Sequence, residues 1–185
     1  MKRVEPIKDI EIVLAMCDYL KSQNERNYIM FMMGLYTGLR IGDILKLRIN
    51  DVRGVRILKI REQKTGNVRE IPLDNPELSE ALKDYVSDKP GRLFLVKSRV
   101  GVNKPIGRQM AYNIIKAAAL KFKLKSIGTH SMRKTLAEHV YMDTGDLVVV
   151  QKILNHYSLA ETIRYLGLND QKTNGILRNL SYKNI

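Results

Sequence analysis

With a single cysteine, Cys17, in 185 residues, the chain can form no intrachain disulfide and offers no thiolate cluster for zinc. The neighbours Ile12, Val13, Leu14, Ala15 and Met16 point to a packing role for that thiol, and a reducing, cytosolic compartment fits. No apolar run is long enough to span a bilayer, and the opening MKRVEPIKDIE lacks the apolar centre of a secretory signal. A soluble, intracellular protein without membrane contact is therefore expected. Internal repeats and low-complexity segments are also missing, which leaves one compact domain as the expectation for 1–185.

A further absence is local. Between Lys89 and Ala137 there is no Asp or Glu, while the same stretch carries Lys89, Arg92, Lys97, Arg99, Lys104, Arg108, Lys116, Lys121, Lys123, Lys125, Arg133 and Lys134. The formal net charge is +13. Self-repulsion of that size is relieved by a polyanionic partner, so the run reads as a nucleic-acid surface, with Lys116, Lys121, Lys123, Lys125 and Lys134 as candidate DNA-binding residues. The alternative is a solvated basic face that merely keeps the chain soluble.

The patterning predicts an α+β chain, mainly α-helical, with one small antiparallel β-sheet. Ile10, Val13, Leu14, Cys17 and Leu20 form a helical stripe over about Asp9 to Lys21. A Met- and aromatic-rich helix from Glu25 to Tyr36 stops at Gly38, so Arg40 falls in a tight junction before the next helix, Ile41 to Leu47. Two strands, around Val55 to Ile60 and Val68 to Leu73, flank the turn Gln63-Lys64-Thr65-Gly66-Asn67. Helices follow over Pro76 to Val86 and Gly107 to Phe122, with a short extended segment at Arg92 to Val96 between them. The next helix, His130 to about Met142, places His130 and Arg133 on one face near its positive end. Asp146 opens a helix to Leu154, and Ser158 with Glu161 forms a capping box for a helix carrying Tyr165. A tail from Asn169 to Ile185 reads as weakly helical, with Ile176, Leu177 and Leu180 on one side.

Arg40, Lys64, His130, Arg133, His156 and Tyr165 thus occur in an order and spacing that suit attack on a DNA phosphate by a phenol. Singly, each is an ordinary surface, turn or capping residue; jointly, they are specific. The stretches Thr37-Gly38-Leu39-Arg40 with Asp43, Lys64-Thr65-Gly66, His130-Ser131-Met132-Arg133, Leu154-Asn155-His156 and Thr162-Ile163-Arg164-Tyr165 closely resemble the tyrosine recombinases, or phage integrases, over nearly the whole chain. His156 precedes Tyr165 by nine residues, as in that family. Asn155 replaces the family's usual glycine, and asparagine tolerates the left-handed backbone needed there.

The resemblance implies the tyrosine recombinase catalytic-domain fold. It implies a site-specific DNA recombinase that cleaves and rejoins DNA through a 3′-phosphotyrosyl intermediate. Tyr165 would be the nucleophile, Arg40 and Arg133 would grip the non-bridging oxygens, and His130 would accept the phenolic proton. Lys64 would protonate the leaving 5′ oxygen, His156 would hydrogen-bond the phosphate, and Asp43 would orient a cation of the site from behind. No metal or other cofactor is implied. The partner is double-stranded DNA, with a homo-tetramer on it, and the location is bacterial or phage-encoded cytoplasm. Family members normally add an N-terminal DNA-binding clamp domain that this chain lacks, as either an excised domain or a minimal member. The rival readings are an integrase-like DNA-binding regulator without cleavage and a type IB topoisomerase.

Overall fold

Most helices of the sequence reading form where expected in a computed structural model that describes residues 4–168 and Arg178. The tail expected over Asn169 to Ile185, with Ile176, Leu177 and Leu180, lies outside the described residues. Two compact units divide the chain, Met1–Leu136 and Ala137–Ile185.

The first unit is organised around helix α2 (Glu25–Thr37), in which Ile29, Met30, Phe31, Met32, Met33, Gly34 and Leu35 are all buried. An α-helix apolar on every side must sit in the middle of its unit. Helix α1 (Ile10–Gln23), capped by Asp9 Oδ1 on Glu11 N at 2.9 Å, packs against it through Val13, Met16 and Leu20. Cys17 lies half-buried between them, its Sγ 3.8 Å from Met32 Sδ, and burial, then Asp18 and Glu77, pushes its pKa up to about 12. The expected packing role follows, since a thiol held protonated is a poor nucleophile.

Gly38 (φ 61, ψ 16) closes α2 in the left-handed region, and the chain turns directly into α3. That helix is shorter than the predicted Ile41 to Leu47 and spans Ile41–Ile44. The Leu47 carbonyl accepts Leu95 N at 2.7 Å, and Arg48 forms an antiparallel bridge with Phe94, so the backbone groups that would extend the helix are taken by the extended segment. Strands β1 (Ile57–Arg61) and β2 (Val68–Pro72) pair antiparallel with Leu58 opposite Ile71, both buried, as the alternation predicts. Helix α4 (Pro76–Val86) starts on Asn75, whose side chain accepts from Glu77 N and Leu78 N. Helix α5 (Arg108–Lys121) ends on Lys123 at φ 59, an unusual left-handed lysine, with Leu124 N returning to Ala119 O at 3.0 Å.

Helix α6 (Thr129–Thr144) begins in the first unit, and the division between units falls within it. Its Met132 is fully buried against Gly34 of α2: a Cβ built on that glycine would lie 2.6 Å from the Met132 sulfur and 2.7 Å from its Cβ. Only a residue without a side chain admits α6 at this distance. Ile7 N donates to the buried Thr135 hydroxyl at 2.9 Å and so ties the N-terminal segment to the same helix.

The second unit has helices α7 (Leu147–Leu154) and α8 (Leu159–Leu166) around a small core of Ala137, Val150, Leu154 and Leu166. Its ends are well capped. Asp146 Oδ1 accepts from Val148 N at 2.7 Å and Val149 N at 3.2 Å, and Asn155 takes the left-handed conformation (φ 50, ψ 49) expected of it. Ser158 Oγ accepts from Glu161 N at 3.2 Å, but the reciprocal half of the predicted capping box goes elsewhere, Glu161 Oε2 accepting from Tyr157 N at 3.2 Å.

Candidate active site

Four of the sequence-predicted site residues come together in the first unit. Arg40 stands at the corner between Gly38 and α3, with its side chain 16% exposed. The corner is fixed locally: the Thr37 hydroxyl donates to Met33 O, and Leu39 N donates to Thr37 Oγ1 at 3.1 Å. Arg133, expected to share a face with His130 near the start of α6, is buried, and its Nη1 donates to Gly38 O. The Arg133 guanidinium is thus held on the glycine corner from which the Arg40 backbone departs, while the Arg40 guanidinium itself is held by Glu62, 3.1 Å from its Nη1. His130, one turn before Arg133, reaches the surface.

The His130 imidazole is held below its ordinary pKa by desolvation first, then by Arg133, Arg40, Lys64 and Lys134. Each of those causes disfavours the imidazolium, so the ring is neutral and able to accept a proton near pH 7. Lys64 is exposed on the loop joining β1 to β2, which closes through Glu62 N to Asn67 O and Gly66 N to Glu62 O, both 2.9 Å. Gly66 there has φ 71.

Asp43 is buried on α3, and its Oδ1 accepts from Gln63 N at 2.9 Å. The described contact thus fastens the backbone beside Lys64, a different means of support from a direct bond to a cation. Four residues that the sequence reading did not select for the site also belong here. Glu62, buried, lies between Arg40 Nη1 at 3.1 Å and Arg69 Nη1 at 3.0 Å, and Arg108 Nη2 donates to Gln63 Oε1 at 2.8 Å. An acid two residues before Lys64, at the end of a strand in a basic protein, was the available signal for Glu62.

The second unit carries the other two site residues. His156 is buried directly after the Asn155 cap, and its ring stands edge-on to Tyr165 with centroids 5.1 Å apart. Its Nδ1 lies 3.0 Å from Thr162 Oγ1, and that hydroxyl has a longer alternative acceptor, Ser158 O, at 3.4 Å. On the other side of the ring, Nε2 lies 4.0 Å from Glu161 Oε1. Tyr165 is half-buried on α8.

Of the candidate DNA-binding residues, Lys116, Lys121, Lys123 and Lys125 are exposed, and Lys134 is half-buried beside the site. Lys116 Nζ sits 5.7 Å over the Tyr112 ring. Among the described residues no group of His, Cys, Asp and Glu is placed to hold a metal ion, and no helix is long and apolar enough to cross a membrane.

The profile of the phage integrase family matches residues 6–172. The chain belongs to that family. Among its integrase relatives, the probable integrase/recombinase YoeC of Bacillus subtilis is 39% identical over 173 residues, 94% of each protein. Tyrosine recombinase XerD of Staphylococcus saprophyticus is 26% identical over 89% of this chain but 58% of its own length. The crystal structure of XerA recombinase superposes with a TM-score of 0.74 at 25% identity, covering 98% of this chain and 68% of that one. A lambda integrase dimer bound to a COC′ core site shares the fold, with a TM-score of 0.70 at 18% identity over 100% of this chain and 52% of that one. The mainly helical architecture, with one two-stranded antiparallel sheet among the described residues, is the catalytic-domain fold of these recombinases.

Proposed function

We propose that this integrase-family domain, a tyrosine-type site-specific recombinase, cuts and rejoins duplex DNA with Tyr165 as nucleophile. The observation that carries the reading is the convergence of Arg133, Arg40 and Lys64 on a neutral His130, with Arg133 held on the Gly38 carbonyl and Arg40 on Glu62. Two guanidinium groups there can each donate paired hydrogen bonds to the non-bridging oxygens of a phosphodiester, where charge accumulates in the transition state. The phenolic oxygen of Tyr165 forms a bond to phosphorus as the bond to the 5′ oxygen breaks. The phenol's proton passes to His130, and Lys64 protonates the departing alkoxide. His156 donates to the phosphate from Nε2. The phosphotyrosyl bond conserves the energy of the original ester, so religation is the same reaction in reverse.

Lys116, Lys121, Lys123, Lys125 and Lys134 are assigned to the phosphate backbone, and the assembly on DNA to a homo-tetramer. Binding then weakens with salt at about −0.9 in log K per log salt for each phosphate neutralised.

A pool of nicked suicide duplexes with randomised arms tests the reading and finds the target sequence in one step. DNA that stays attached to the protein after denaturation is recovered and sequenced, and defines the site. The wild-type chain should trap a specific sequence, and Tyr165→Phe should bind that sequence but leave no adduct. Trapping by Tyr165→Phe would refute the nucleophile assignment. A wild-type chain that binds DNA without any adduct would favour a non-cleaving regulator, and adducts of every sequence would favour a topoisomerase.

A further inference from the structure

Glu62 is the one described carboxylate set among the cations of the first unit with both oxygens engaged. Its side chain is 0% exposed. Oε1 accepts from Arg69 Nη1 at 3.0 Å; Oε2 accepts the Thr65 hydroxyl at 3.0 Å and lies 3.1 Å from Arg40 Nη1. The residue's own backbone closes the loop that carries Lys64, through Asn67 O and Gly66 N.

We propose that Glu62 is a positioning residue that fixes Arg40 and the Lys64 loop in one frame. The inference rests on the assignment of Arg40 and Lys64 to the active site. Burying a carboxylate is costly unless it is paired and hydrogen-bonded, and Arg69 alone would supply a charge partner. The second guanidinium is therefore surplus to the burial problem. Its contact with Glu62 is an ion pair through Nη1 at 3.1 Å, which holds the Arg40 head in place while leaving the other N–H groups of the guanidinium for a phosphate. With two arginines around one carboxylate, a positive charge remains after pairing.

The Thr65 arm does the corresponding work for the loop. Thr65 follows Lys64 directly, and its hydroxyl is gripped by the same Oε2 that faces Arg40. Arg40 acts on the non-bridging oxygens and Lys64 on the leaving oxygen, so one buried side chain sets two groups that must meet the phosphate together. Misplacement of such groups by about 1 Å is enough to cost about 100-fold in rate.

The two arms are separable with the duplex recovered by trapping, made either with an ordinary phosphodiester or with sulfur at the 5′ bridging position, whose leaving group needs no proton. Thr65→Val removes the loop arm alone; cleavage of the ordinary duplex should fall about 10-fold, with full recovery on the sulfur duplex. Glu62→Gln weakens both arms; cleavage should fall about 100-fold, and sulfur should restore only part of it. Should Glu62→Gln fail to fold, Glu62→Asp, which keeps the charge but withdraws it by one methylene, enters the same two-substrate comparison. Normal cleavage by Thr65→Val and the Glu62 variant would overturn the proposal, as would complete sulfur rescue of the Glu62 variant, or losses of DNA affinity as large as the losses of rate. Normal cleavage by Arg40→Ala and Lys64→Ala would instead overturn the underlying active-site assignment, which keeps the two failures distinct.

Discussion

The two units solve opposite problems. In the first, cations that repel one another stand on a large core of buried Leu, Ile, Met and Phe side chains; in the second, among the described residues, the tyrosine stands on two eight-residue helices with Ala137, Val150, Leu154 and Leu166 as their buried apolar centre. Each fully buried large aliphatic side chain contributes about 1.5–3 kcal/mol, so the first unit has a deep reserve against electrostatic strain. The second depends on its ends: Asp146, Asn155, Ser158 and Gly167 close helices too short to persist alone. Preorganised charge needs a stiff support, whereas a nucleophile that must form and then release a covalent bond can tolerate a support that opens more readily.

The largest expected effect lies in the stiff unit. Arg40→Ala should lower the rate of adduct formation by about 100-fold to 1000-fold while lowering duplex affinity much less, because its bonds strengthen as charge develops. Single-turnover trapping beside equilibrium binding measures both; equal losses would make Arg40 an ordinary phosphate anchor. Next come paired perturbations of stability, read by native-state hydrogen exchange. Gly34→Ala should destabilise the first unit by about 1–3 kcal/mol through overpacking against Met132. Asp146→Ala should cost about 1 kcal/mol, confined to the amides of α7 and α8. If α7 and α8 are already protected as strongly as α2 in the unaltered protein, the contrast between the units is wrong.

The smallest effect concerns His130. Its imidazole should titrate in the DNA-free protein below the ordinary value of about 6.5, seen by NMR, because desolvation and neighbouring cations disfavour the charged form. Lys134→Ala removes one of those cations and should move the midpoint upward. Lowering the pH through the depressed midpoint protonates the base, so cleavage should fail on the acid side and hold through neutrality. A midpoint above the ordinary value would remove His130 as proton acceptor.

Much of this was legible in the chain. The stripe of α1, the wholly apolar α2, the hairpin alternation of Leu58 and Ile71 and the Asp146 cap all follow from periodicity and end chemistry, which are local. The family resemblance supplied the order of Arg40, Lys64, His130, Arg133, His156 and Tyr165. What stayed hidden was set by contacts distant in sequence. Arg133 is held by a carbonyl that comes from the far end of α2, α3 is cut short by the segment around Phe94, and Glu62 at the end of β1 finds Arg40 at the corner before α3. Lys123 in the left-handed region was invisible because nothing about a lysine announces a helix stop.

The missing side chain of Gly34 has a further meaning. It sits on the helix that runs out to Arg40, and its partner Met132 directly precedes Arg133, so the gap between these two residues acts as a shim between the supports of two guanidinium groups. One methyl group added there is a change of thickness, and it should be transmitted as a change in how widely the arginines span a phosphate. Positions 34 and 132 should accordingly accept substitution together, bulk gained on one side balanced by bulk lost on the other, and resist it singly.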